Sequence, residues 1–298
     1  MLSLTSSLSH PLTKDGGVED KMLSIIGKTV SEAHGDGLLN KDLLHDIQVI
    51  AEAKNDNPEA AANNEMMMLI SRVVQKYCNA LNPLQDLVFV NGPFVAAFLL
   101  GTDFASAREA KMVQESVSMQ KLKAALNSEL HLFVFNDGSA GNGSAPGTHW
   151  AALAYITVVP RRIALLVNTD TNVAQTGRVA TIARNLLMQI ERGLSPAAAA
   201  ADQNGQQSTK LLMFRPEDAI CSEKSGTLCG YQLGSAIMEL AALKLKVNVA
   251  SQQGDEASKC HRFITEVQSW ALHNKRPQME GSVLKDYIAK GLGSPSRP

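Results

Sequence analysis

Cys229 sits between Gly226 and Gly230 in the segment GTLCGYQ, where an apolar helical stretch begins. A thiol in the first turn of a helix is drawn towards its thiolate by unpaired N–H groups and the helix dipole, and the thiolate is the nucleophile. The flanking glycines let backbone approach a substrate carbonyl, and their N–H groups can stabilise a developing oxyanion. Far earlier in the chain, His149 and Trp150 follow a long glycine-rich loop and open an apolar strand. A histidine at a sheet rim can take a thiol proton and later return it to a leaving amine, while Trp150 would wall off water on one side. Such a base needs an acceptor on its second ring nitrogen. Asn168 and Asp170 close the next strand and, two residues apart, face the same side of it, so either can serve. Together these residue types point to acyl transfer through a thioester on Cys229. Singly, each has a plainer reading, a packed cysteine or a hydrogen-bonded histidine.

The elements that must position these groups follow from hydrophobic periodicity. Met22, Ile25, Ile26 and Val30, then Leu39, Leu43, Ile47 and Ile50, then Met66, Ile70, Val73 and Tyr77 recur at helical spacing. Three amphipathic helices are therefore expected from Val18 to about Tyr77, with breaks at Gly35 to Gly37 and Asn55 to Pro58. The run Met66 to Met68 reads as core filler. Two more helical stretches, Pro93 to Leu100 and Ser106 to Leu126, precede a change of period. LHLFVF, Leu130 to Phe135, reads as a buried strand, and residues 136 to 148 have loop composition. His149 to Val158 and Ile163 to Asn168 read as a hairpin turning at Pro160. A helix is expected over Arg178 to Ile190, a low-complexity insertion over 195 to 209, and a last strand over Leu211 to Phe214. Cys229 then opens a helix to about Leu245, with two more helices near the C-terminus. Consecutive central strands between helical regions predict an α+β class with a small central mixed sheet flanked by helices. The organisation expected is a flexible segment 1–17, a helical N-terminal region 18–85 and a catalytic domain 86–298.

Composition narrows the function classes. At 298 residues the chain is long enough to bury about three quarters of its unfolded surface without staples. Its 28 basic and 29 acidic residues leave a formal charge of -1, so no global positive field exists to hold nucleic acid. The four cysteines, Cys78, Cys221, Cys229 and Cys260, form no CxxC pair, which argues against a zinc site and a disulfide scaffold. No metal or cofactor is expected. Cys78 and Cys221 read as structural, His131 as a core histidine, and Cys260 and His261 as helix neighbours pointing in different directions. Transmembrane and secretory-signal patterns are absent. The Ser/Thr-rich first 20 residues read either as a loose terminus or as an export signal of the kind used by bacterial injection systems. Phosphate-loop, HExxH and GxSxG motifs do not occur.

His149-Trp150 on a strand, Asn168 in VNTD ending the next, and Gly226-Thr227-Leu228-Cys229-Gly230 at a helix start stand in the order shared by the clan CE cysteine peptidases. The chain resembles that family over about residues 86 to 250. It includes ubiquitin-like-protein proteases, bacterial effector deubiquitinases and YopJ-type acetyltransferases. The resemblance implies a papain-like fold and a cysteine protease cleaving after the terminal glycine of ubiquitin or a SUMO-type modifier. It implies Cys229, His149 and Asn168 or Asp170 as catalytic residues, Glu223 and Gly230 at the oxyanion hole, and Trp150 and Gly226 along the substrate tail. The partners implied are the modifier and a host target protein, met by a secreted effector in host cytoplasm. The runner-up is acetyl transfer from acetyl-CoA through the same cysteine, and a third reading is an inactive binding protein of the same fold. Two departures bear on activity. Glu223 stands where the family has glutamine, and a carboxylate repels an oxyanion unless protonated or turned away. Ser225, Thr227 or backbone N–H groups are the alternative donors. Asn168 stands where aspartate is usual, although asparagine orients histidine in some cysteine proteases.

Overall fold

A computed structural model of the chain describes residues 16–36, 40–81, 88–101, 130–138, 149–158, 161–170, 172–194, 210–212, 227–250, 256–273 and 279–293. Three helices come first: α1 (Gly16–Gly35), α2 (Lys41–Glu52) and, after a 3-10 turn at Pro58–Ala60, α3 (Asn64–Leu81). Then follow β1 (Val88–Asn91), α4 (Pro93–Leu100), β2 (Leu130–Asn136), β3 (Trp150–Val158), β4 (Arg161–Asn168), α5 (Val173–Leu194) and β5 (Lys210–Leu212). The chain continues with α6 (Cys229–Ala250), α7 (Glu256–His273) and α8 (Gly281–Gly293). Among the described residues this is an α+β arrangement of eight helices and one five-stranded mixed sheet.

The strands lie in the order β1-β2-β3-β4-β5. The inner pairs β2–β3 and β3–β4 are antiparallel, and the outer strands β1 and β5 run parallel to their neighbours. Period-two alternation explains why the central strands are apolar throughout, since both faces are covered. Leu132, Val134, Ala152, Ala154, Leu165 and Val167 join a core built with α1, α2, α3, α6, α7 and α8. Phe133, Phe135, Leu153, Tyr155, Ala164 and Leu166 face a second core under α4 and α5. The N-terminal helices thus share one core with α6 and the sheet.

Strand β1 is absent from the sequence reading, and its neighbourhood shows why. It is four residues long, and its partner in register is Leu130 to Phe133, beyond α4. Its other edge is closed by a side chain: the Gln75 amide on α3 accepts from Val90 N–H at 2.7 Å and donates to Val88 C=O at 3.0 Å. That protects an edge that would otherwise be open to pairing. Elsewhere the element types agree and the ends differ. Strand β4 begins at Arg161 rather than Ile163, α5 at Val173 rather than Arg178, and α6 continues to Ala250. The helix expected over Ser106 to Leu126, the insertion 195 to 209 and Phe214 lie outside the described residues.

Helix α6 is buried on all sides over its first three turns, as expected of a helix apolar all round. Small residues let neighbours come close. A Cβ on Gly234 would lie 2.6 Å from Ile70 Cγ2 of α3 and 2.9 Å from Leu284 Cδ2 of α8. Of the buried polar groups along α6, Glu239 Oε2 accepts from the Trp270 indole N–H at 2.9 Å and Lys244 Nζ lies 5.3 Å from the Phe263 ring centroid, while Tyr231 OH and Ser235 Oγ have no hydrogen-bond partner among the described residues. No helix among the described residues is long and apolar enough to cross a membrane.

Gly234→Val should therefore lower stability by about 1 to 3 kcal/mol, the usual cost of overpacking a filled core. Urea denaturation followed by circular dichroism measures it. An unchanged midpoint would mean that α3 and α8 part from α6 at no cost.

Candidate active site

The last residues of β2 and the entry to β3 fix His149 before its side chain does anything. Its backbone N–H donates to Asp137 Oδ1 at 2.9 Å, and its carbonyl accepts from Asp137 N–H at 3.0 Å. The strand ladder begins one residue later, with Trp150 opposite Asn136. His149 is therefore held at the end of the sheet, 5% exposed. Asp137, in a stretch whose composition predicts only a loop, is a positioning residue.

Across the hairpin, Asn168 closes β4 opposite Ala151. Its Oδ1 lies 2.7 Å from His149 Nε2. The orientation of this amide is decided by groups that have no choice of role. Asp170 N–H, only a donor, lies 3.2 Å from Oδ1, and Asp170 C=O, only an acceptor, lies 3.2 Å from Nδ2. Nδ2 also lies 3.1 Å from Thr176 Oγ1 at the start of α5. With Oδ1 thus fixed towards the imidazole, Nε2 must carry the proton and donate. The Nδ1 lone pair is then the basic site of the neutral ring.

The structure separates the two candidates for the orienting residue. Asn168 meets the imidazole directly. The Asp170 carboxylate instead accepts from Asn172 N–H at 2.8 Å in the turn leading into α5. It still acts on the ring at a distance. Burial holds the His149 pKa below its ordinary value of 6.5, against the opposing pull of the Asn168 hydrogen bond and the nearby negative charges of Asp170 and Asp137.

Cys229 is the first residue of α6, for the Leu228 carbonyl accepts the first helical bond, from Gln232 N–H at 2.9 Å. It is a thiol rather than half of a disulfide and is 5% exposed. The N–H groups of a first turn have no intrahelical partner, and they favour an anion there. Cys78 makes the contrast. It lies within α3, and burial pushes its thiol up to about 12, so it serves packing alone.

Residues adjacent in sequence to the two groups touch each other. A Cβ built on Gly230 would lie 3.3 Å from Trp150 Cδ1, and 2.7 Å from both Ala62 Cβ and Met67 Sδ. His149 and Cys229 are each one residue from this contact. Trp150 is itself buried, with its indole N–H donated to Ala62 C=O at 2.8 Å. It works as an internal anchor, and Gly230 is a glycine because no side chain fits there. Glu223, Gly226, Ser225 and Cys221 lie outside the described residues. His131 is buried in β2, its ring tilted against Phe89 of β1 at 6.0 Å.

Two further residues of the site were invisible in the sequence. Thr176 steadies the Asn168 amide from α5, and Gln232, buried in the first turn of α6, accepts from Gly281 N–H at 2.7 Å through Oε1. Neither belongs to a motif. No family model matches the sequence, and no curated protein matches it either.

Asn168→Ala should slow alkylation of Cys229 by about tenfold, the worth of one buried hydrogen bond to the imidazole. Asp170→Ala should slow it less and lower stability by about 1 kcal/mol through the lost turn contact. Equal rates in the two variants would remove Asn168 from its role. As for pH, the unfolded chain binds the His149 proton more readily than the folded one. This contribution to stability is therefore complete above the ordinary value of 6.5 and is lost as pH falls below it. Chemical denaturation across that range should show the loss, and a His149→Gln variant with the same slope would contradict it.

Proposed function

We propose that this chain is a cysteine isopeptidase of papain-like fold that cleaves after the terminal glycine of ubiquitin or a ubiquitin-like modifier. On the family resemblance, it does so as a secreted bacterial effector acting on proteins in host cytoplasm. The observation that carries the reading is the fixed imidazole: Nε2 donates to Asn168 Oδ1, which leaves Nδ1 as the base. The contact of Trp150 with Gly230 supports it by bringing the neighbours of His149 and Cys229 together.

The chemistry balances with these groups alone. Nδ1 of His149 takes the Cys229 proton, and the sulfur attacks the carbonyl carbon of the modifier's last glycine. The carbonyl oxygen becomes an oxyanion beside the N–H groups of the first turn of α6. The C–N bond of the isopeptide breaks as the imidazolium returns its proton to the departing lysine amine. Water, deprotonated by the same Nδ1, then hydrolyses the thioester and frees the thiol. Asn168 holds the ring through both proton transfers. With Glu223 at the position that is glutamine in the family, the backbone supplies the oxyanion donors in this reading.

Ubiquitin or SUMO carrying a C-terminal electrophile tests the proposal directly. The unsubstituted chain should form an adduct on Cys229, Cys229→Ala none, and His149→Ala should react about a thousandfold more slowly. No adduct with any modifier, with acetyl uptake from acetyl-CoA onto Cys229, would replace this reading with acetyl transfer. Inertness in both assays would leave a binding protein.

A further inference from the structure

We propose that the segment joining α2 to α3, residues 53 to 63, together with the first turn of α3 is the positioning clamp of the active site, holding the Cys229 helix against the His149 strand. The inference rests on the isopeptidase reading, and it assigns a role to the N-terminal region that no motif suggests. Three main-chain carbonyls of this one segment accept donors from three separate parts of the chain. Ala53 C=O accepts from Lys285 Nζ of α8. Asn55 C=O accepts from Thr227 Oγ1, two residues before Cys229. Ala62 C=O accepts the Trp150 indole N–H, one residue after His149, at 2.8 Å.

The segment is itself held stiff, as a clamp must be. Asn57 Oδ1 accepts from Glu59 N–H at 3.0 Å, and Pro58 opens the 3-10 turn. Asn63 Oδ1 accepts from Met66 N–H at 2.8 Å and closes the start of α3. Ala60 between them is fully buried. Turn carbonyls lack the partners that a helix or strand would supply, so donors from elsewhere complete them. The side chains complete the grip. Ala62 and Met67 occupy the space above Gly230, so the second residue of α6 lies directly against the segment and Trp150. On the far side α8 closes the ring. Its Lys285 holds Ala53, and its Gly281 N–H holds Gln232 of α6.

The clamp acts on the site through two handles, Thr227 and Trp150. Loosening either should let the first turn of α6 drift from the imidazole and cost the thiol its base, without unfolding the chain. Thr227 is half-buried, so its removal costs little packing. The experiment is the rate of Cys229 alkylation by iodoacetamide as a function of pH, in the full chain, with circular dichroism melting as the control for fold. The unsubstituted chain should alkylate with a midpoint well below that of a free thiol. Thr227→Val and Trp150→Phe should each move the midpoint upward and lower the rate at acid pH by about tenfold. Thr227→Ser, which keeps the hydroxyl, should retain the unsubstituted profile. Folded variants with the unsubstituted profile would overturn the clamp while leaving the isopeptidase reading intact. A free-thiol midpoint in the unsubstituted chain would instead remove the activated thiol, and the clamp with it.

Discussion

The close approach at Gly230 is the constraint from which the rest of the site follows. Three parts of the chain converge on one missing side chain: Trp150 from the sheet, Met67 from α3, and Ala62 from the turn before α3. A residue with a Cβ there would push the start of α6 away from the sheet, and with it Cys229. Burial of α6 then makes the arrangement rigid, because a helix enclosed on all sides cannot slide without opening voids. The sheet end is held as firmly, since Asp137 closes the backbone of His149 through both its N–H and its carbonyl.

Within that frame the electrostatics of His149 is a balance of opposed effects. Burial disfavours the charged ring, while Asn168, Asp170 and Asp137 favour it, and burial prevails. The outcome suits a general base, which must be neutral before it takes a proton. The choice of an amide at position 168 fits the same logic. A buried carboxylate there would have drawn the imidazole towards its charged form, whereas Asn168 accepts the Nε2 proton without adding charge. Its own donors are absorbed by Asp170 C=O and Thr176 Oγ1, so no polar group of the orienting residue is left over.

Much of this was legible in the residues. The apolar runs at 130 to 135 and 149 to 158 read as strands because both faces of the sheet are covered, and Cys229 read as a helix start from its glycines and the apolar stretch that follows. What escaped reading is long-range by nature. Strand β1 owes its place to the Gln75 amide and to a partner strand that follows α4. The role of Asn168 over Asp170 depends on where Asp170 spends its carboxylate, in the turn to Asn172. Ala62 offers only a carbonyl, which no sequence pattern distinguishes from any other. Trp150 read as a wall beside substrate because an aromatic next to a histidine suggests one, but its indole N–H is taken up by the protein interior.

In the proposed mechanism His149 keeps its proton on Nε2 and presents Nδ1 to the Cys229 sulfur. Nitrogen-15 spectra of the imidazole at neutral pH, compared between the unsubstituted chain and Cys229→Ala, read both halves of it at once. Nε2 should be protonated in both proteins, and the Nδ1 resonance should move when the sulfur is removed. A proton on Nδ1, or an Nδ1 resonance indifferent to residue 229, would contradict it.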